Sequence, residues 1–111
     1  MKLIDNISKD KLRGGFYTPE PIANFMLKWG INGSTDYDIL EPSCGDGIFL
    51  EQLRKNKMSY HSVKGVEIEE DEAQKADQIQ LQNKEIIKGD FHQFCNTTDL
   101  RFDLVVGNPP Y

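Results

Sequence analysis

Short apolar runs alternate with helical stretches along most of this chain, and that alternation constrains the fold more than any other feature. The runs are Tyr37 to Glu41, His61 to Ile68, Glu85 to Lys88 and Phe102 to Val106. Between the first two, Ile48 to Lys57 reads as a helix with Phe49, Leu50 and Leu53 turned inward. Between the second and third, Glu70 to Gln82 reads as a polar helix with Ala73, Ala76 and Ile79 on one side. The stretch before the fourth run has no clear period and reads as a loop. Strands that alternate with helices pair in parallel through right-handed crossovers. The predicted class is therefore α/β, a parallel sheet with helices on both faces. A change of crossover direction after the third strand gives the order 3-2-1-4. That order leaves the fourth strand, with Leu104, Val105 and Val106, open to water at an edge and able to pair with a second chain.

Ligands of such sheets bind beyond the carboxyl ends of the strands. The four tips here are Glu41-Pro42-Ser43-Cys44-Gly45-Asp46-Gly47, then Glu67-Ile68, then Gly89-Asp90-Phe91, then Gly107-Asn108-Pro109-Pro110-Tyr111. Gly45 and Gly47 allow a sharp turn and a close backbone approach. A dinucleotide fingerprint would place a third glycine where Leu50 stands. Glu67 ends the second strand 20 residues after Gly47, where ribose sites place an acid. Glu41 and Asp46 flank the turn and would repel a pyrophosphate. A ligand with a cationic end suits them better, and the sulfonium and amino groups of S-adenosylmethionine provide one. Asp90 is placed to accept from an adenine amino group, with Ile68 and Phe91 on the faces of the ring.

Ahead of the first strand, Thr18 reads as a helix cap, with Pro19 in the first turn. Ile22, Phe25, Met26 and Trp29 follow at helical spacing and read as a core-facing stripe, and Gly30 ends the run. The composition narrows the function. The net charge of −5 argues against this chain gripping nucleic acid alone, because phosphate binding needs clustered Lys and Arg. Lys2, Lys9, Lys11 and Arg13 cluster somewhat at the start, in a segment that reads as solvated or as a phosphate contact. No apolar run reaches the ~20 residues of a membrane span. An acid, Asp5, interrupts the start before a signal peptide can form. Cys44 and Cys95 lack metal-ligand spacing and read as reduced thiols of a cytoplasmic protein. No metal site is expected. His61 and His92 fall outside every motif.

The sequence Asn108-Pro109-Pro110-Tyr111 after an apolar strand resembles the catalytic motif of amino-methyltransferases, and the resemblance implies chemistry on an aromatic amine. Such a nitrogen is a poor nucleophile because its lone pair is delocalised into the ring. Two fixed acceptors on its two hydrogens, the Asn108 side-chain oxygen and the Pro109 carbonyl, would draw it towards tetrahedral geometry. Tyr111 offers a face on which a base taken out of a duplex can stack.

These motifs resemble those of N6-adenine-specific DNA methyltransferases of the gamma motif order. Asn108-Pro109-Pro110-Tyr111 is similar to their catalytic motif, and Glu41 to Gly47 looks like their cofactor turn. Gly14-Gly15-Phe16-Tyr17-Thr18-Pro19 resembles the additional cofactor motif that precedes the turn in this group. The resemblance covers nearly the whole chain from Arg13 onward. It implies a Rossmann-like class I S-adenosylmethionine-dependent sheet. Thr18 and the neighbouring Phe16 and Tyr17 would hold the methionine end of the cofactor, Glu41, Ser43 and Gly45 would line the same end, and Cys44 and Gly47 would also be cofactor-binding residues. Glu67 would take the ribose, Ile68 and Phe91 the adenine faces and Asp90 its amino group, with Asn108 and Pro110 closing the site. The catalytic residues would be Asn108, Pro109, Pro110 and Tyr111.

Family members continue beyond this motif with more sheet and a target-recognition region. Residues 14–111 are thus expected to be part of a methyltransferase domain, truncated after its fourth strand, and residues 1–13 a separate N-terminal segment. DNA would be held through regions absent here, and the chain alone is expected not to methylate DNA. The parent would be of the restriction-modification type. The other readings are an amino-methyltransferase acting on protein glutamine or on adenine in RNA, and a non-catalytic cofactor-binding fragment.

Overall fold

The computed structural model describes residues 18–107. Four helices and four strands alternate: α1 (Glu20–Ile31), β1 (Asp38–Glu41), α2 (Ile48–Lys55), β2 (Ser62–Glu67), α3 (Glu70–Asp77), β3 (Lys84–Lys88), α4 (Phe91–Thr97) and β4 (Leu104–Val105). The strands form one sheet in the order β3-β2-β1-β4, and every pairing is parallel. The expected class and order therefore hold. β1 is central, and Ile39 and Leu40 are buried on its two sides. Ile39 stands beside Val63 and Leu104, and Glu41 beside Gly65. All four carboxyl ends consequently lie along one edge.

One core cluster joins the inner sides of the first three helices to the sheet. It contains Ala23, Leu27 and Ile31 of α1, Phe49, Leu50 and Leu53 of α2, and Ala76 of α3, with Ile39 and Val63 beneath them. The inward set foreseen for α2 is the one observed. Glu20 fastens α1 to α2, accepting from Gln52 Nε2 at 3.0 Å and Lys55 Nζ at 2.7 Å. The ammonium of Lys84 closes the end of α3, donating to the carbonyls of Ala76, Asp77 and Ile79. A cation there satisfies carbonyls that have no partner inside the helix. That end comes at Asp77, earlier than the periodicity suggested.

Four expectations need correction. The stripe on α1 is the first. Ile22, Phe25 and Trp29 are 51%, 66% and 76% exposed, and only Met26 of that set packs against the core. The inward positions are Ala23, Leu27 and Ile31, at a spacing of four. The bulk of the aromatics concealed this face, because Ala23 is a weak hydrophobic signal that nevertheless allows close packing. Secondly, α1 runs through Gly30 and stops at Asn32, which adopts the left-handed conformation. Gly30 leaves room within the helix for the Leu104 side chain, whose Cδ1 would lie 2.8 Å from a Cβ there. Pro19, not Thr18, is the N-terminal cap, without a side-chain bond; its carbonyl accepts from the amides of Ile22 and Ala23, each at 3.0 Å. Thirdly, the stretch read as a loop contains α4. Lastly, β4 is short, and Val106 beyond it is buried. Leu104 packs against the core, so Val105 alone of the three faces water, at 58% exposure.

Candidate functional site

The turn after β1 is the centre of the carboxyl edge. Gly45 (φ 56°) and Gly47 (φ 98°) hold left-handed backbone that other residues rarely adopt. Gly47 has a second constraint: a Cβ there would sit 2.5 Å from Ile79 Cδ1 and 3.3 Å from Ala76 Cα. The turn is thus pressed onto the end of α3. The Cys44 amide donates to the Val66 carbonyl at 3.0 Å, which lays the turn along β2.

Glu67 completes this junction. Its Oε1 accepts from the Gly45 amide at 2.8 Å and its Oε2 from the Glu69 amide at 2.9 Å. Spacing alone singled out Glu67, but its role as a clamp between two turns was not foreseen. An ionised carboxylate offers about four acceptor positions, so two bonds leave capacity for a ligand's hydroxyls.

Glu41 lies deepest, at 2% exposure, and its Oε1 is buried without a hydrogen-bond partner among the described residues. Burial, and then the negative charges of Asp46 and Glu67, push its carboxyl well above the usual carboxylate range. Cys44 is buried against Gly65, where a Cβ would be 2.9 Å from Sγ. Burial first, then Glu41 and Glu67, raise its thiol far above the ordinary range. Cys44 is therefore packing behind the turn and not a reactive thiol. The Gly107 backbone meets Glu41 from β4, since a Cβ there would be 3.4 Å from Glu41 Cγ.

Of the other expected site residues, Ser43 is half-buried in the turn and Thr18 half-buried before α1. Ile68 stands at the tip of β2, 63% exposed. Asp90 caps α4, its Oδ1 accepting from the His92 amide at 3.4 Å. Phe91 opens that helix, half-buried, with its ring 6.3 Å from that of Phe94. Phe16, Tyr17, Asn108, Pro109, Pro110 and Tyr111 lie outside the described residues. The structure thus brings Glu41, Ser43, Cys44, Gly45, Asp46, Gly47 and Glu67 together around one turn, with the β3 tip beside them. Among the described residues, no group of three or more His, Cys, Asp or Glu is placed to hold a metal ion.

A parallel 3-2-1-4 sheet with a glycine turn after β1 and an acid at the tip of β2 is the architecture of class I methyltransferases. The solved plantazolicin methyltransferase BpumL, in complex with SAH, superposes with a TM-score of 0.58 at 17% identity, over 77% of this chain and 33% of that one. Residues 3–111 match the model of the N-6 DNA Methylase family, and the chain belongs to that family. The type II methyltransferase M.CvrRI of Paramecium bursaria Chlorella virus XZ-6E is 36% identical over 104 residues. The alignment takes in 93% of this chain and 26% of that relative, so the chain spans about a quarter of its length. A tRNA1(Val) (adenine(37)-N6)-methyltransferase of Yersinia pestis strain Pestoides F is 31% identical over 66% of this chain and 32% of its own length.

Proposed function

We propose that this chain carries the cofactor site and the base-binding motif of an enzyme that methylates the N6 amino group of adenine in DNA. The observation that carries the reading is the junction of Gly45, Glu67 and Glu41. A turn built for close approach is ringed by carboxyl groups, one of them buried with an oxygen that has no partner among the described residues. That chemistry fits S-adenosylmethionine, which joins cationic groups to a ribose and an adenine, and does not fit a pyrophosphate.

In this reading Glu67 accepts from the ribose hydroxyls while it continues to hold Gly45. Glu41, Ser43, Gly45 and the segment Phe16-Tyr17-Thr18 take the methionine end. Ile68, Asp90 and Phe91 take the adenine. When bound, the cofactor supplies an electrophilic methyl group. The Asn108 side-chain oxygen and the Pro109 carbonyl accept hydrogen bonds from the two N–H groups of the target amine, Pro110 stiffens the motif, and Tyr111 stacks on the extruded base. The acidic chain relies on other parts of the protein to hold DNA. The relationship to the type II methyltransferase M.CvrRI fits a restriction-modification setting. No helix among the described residues is long and apolar enough to cross a membrane.

Calorimetric titration of the chain with S-adenosylmethionine tests the cofactor site. Binding should be measurable, and Glu67→Ala should weaken it by roughly tenfold or more, as loss of a charged hydrogen bond of about 1.5–3 kcal/mol requires. Equal affinities would remove Glu67 from the ribose role. In the complete protein, Asn108→Ala should lower turnover on duplex DNA about a hundred- to a thousandfold and leave cofactor affinity nearly unchanged. Turnover within a few fold of wild type would refute the role of Asn108. The likeness to a tRNA enzyme supports a second reading, with adenine in RNA as acceptor. Labelled-methyl transfer to DNA and to tRNA, side by side, separates the two.

A further inference from the structure

Glu41 has an uncommon environment for a carboxyl group. It is 2% exposed, its Oε1 has no partner among the described residues, and it ends the central strand directly behind the glycine turn. The groups that face it are known from each neighbouring element. The turn contributes Asp46 and the Cys44 thiol, and β2 contributes Glu67. From β4 the backbone of Gly107 comes close and brings no charge. Among the described residues, the two charges that act on Glu41 are therefore both negative.

An ionised carboxylate buried without a partner is far more costly than a neutral one, and such a group keeps its proton. Two nearby carboxylates add to that penalty. A positive group arriving between the three acids reverses the balance, because it supplies the missing partner and cancels the repulsion. We infer that Glu41 is protonated in the ligand-free protein and gives up its proton when a cationic group of the ligand docks beside it, so that the site selects positively charged ligands and exchanges a proton for them. The inference rests on the cofactor reading above for the identity of the ligand, and on Glu41 itself for the proton. The step balances: one proton leaves the Glu41 carboxyl for solvent as one cationic group enters.

The sign of the pH dependence follows. A ligand that binds the ionised form competes with a proton, so affinity rises with pH, approaching tenfold per pH unit, until Glu41 ionises without help. The ligand's own α-amino group titrates near pH 7.7–8.0, so measurements at about pH 6.5 keep it charged throughout.

The test has two arms, both on the 111-residue chain. The first is the infrared spectrum of the ligand-free protein at about pH 6.5, with Glu41→Gln subtracted from wild type. A carboxylic-acid band assigned to Glu41 is expected, and its absence overturns the proposal. The second is titration with S-adenosylmethionine at the same pH in two buffers of different ionisation enthalpy. Wild type should show heats that differ between buffers by close to one proton released per ligand. Glu41→Gln, nearly identical in shape, should bind with heats that do not depend on buffer. Binding by wild type with buffer-independent heat overturns the exchange and leaves the cofactor reading standing. A carboxylic-acid band with no binding in either buffer overturns the cofactor reading, and the exchange with it. Circular dichroism of the variant ensures that a folded protein is compared.

Discussion

Glu41 is buried although it can ionise, and its stability effect therefore has an unusual sign. In the unfolded chain it ionises near its ordinary value of 4.5, whereas burial first, then Asp46 and Glu67, raise that value in the folded chain. Its stabilising contribution is complete below the unfolded value and is lost as the pH rises from there through the folded value. Glu41→Gln cannot ionise, so it should raise the thermal midpoint at neutral pH and change it little near about pH 4. Scanning calorimetry at the two pH values checks this, and a lower midpoint for the variant at neutral pH would contradict it. At this scale the sequence was only partly legible. Glu67 stood out because its distance from Gly47 has a geometric meaning. Its two backbone donors did not, because they depend on how the turns at Gly45 and Glu69 are shaped. Nothing in a string of letters marks Glu41 as buried and Asp46 as half-exposed.

The elements differ in how clearly they announced themselves. α2 was readable because Phe49, Leu50 and Leu53 are large, apolar and all inward. α1 misled because its largest residues face out and one of its inward positions is an alanine. α4 was missed although Asp90 is a good capping residue and Phe91 and Phe94 lie three apart. Its seven residues bury none fully, so its periodicity is weak. The corrected orientation of α1 has a direct consequence. Leu27→Ala should cost about 2–5 kcal/mol, since Leu27 is wholly buried. Trp29→Ser should stay within about 0.5 kcal/mol, because three quarters of Trp29 already meets water. Urea unfolding of both variants decides the matter. A large loss at Trp29 with a small one at Leu27 would restore the orientation first expected.

For the whole molecule, strand order and the gathering of acids at one edge followed from the alternation of elements, as did the edge position of β4 among the described strands. The extent of the exposed edge did not, because the packing of Leu104 under Gly30 and the burial of Val106 are tertiary events. Among the described residues the outer backbone edge of β4 is unpaired and the side chain of Val105 exposed, and we propose that they let two copies of the chain pair there. Light scattering over a concentration series should show self-association that Val105→Lys reduces. A chain that stays monomeric throughout would end the proposal. The same strand bears on motion. β4 has only two residues in the ladder, and its pairing with β1, together with the reciprocal bonds of Asp38 and Asp103, bridges 65 positions of sequence. Its release would leave β1, β2 and β3 paired, so it is the strand that can open at the smallest free energy. Glu41, Ser43, Gly45 and Glu67, proposed to grip the methyl donor, stand at or just beyond the ends of β1 and β2, which pair without β4. Opening of β4 would therefore leave that part of the site in shape.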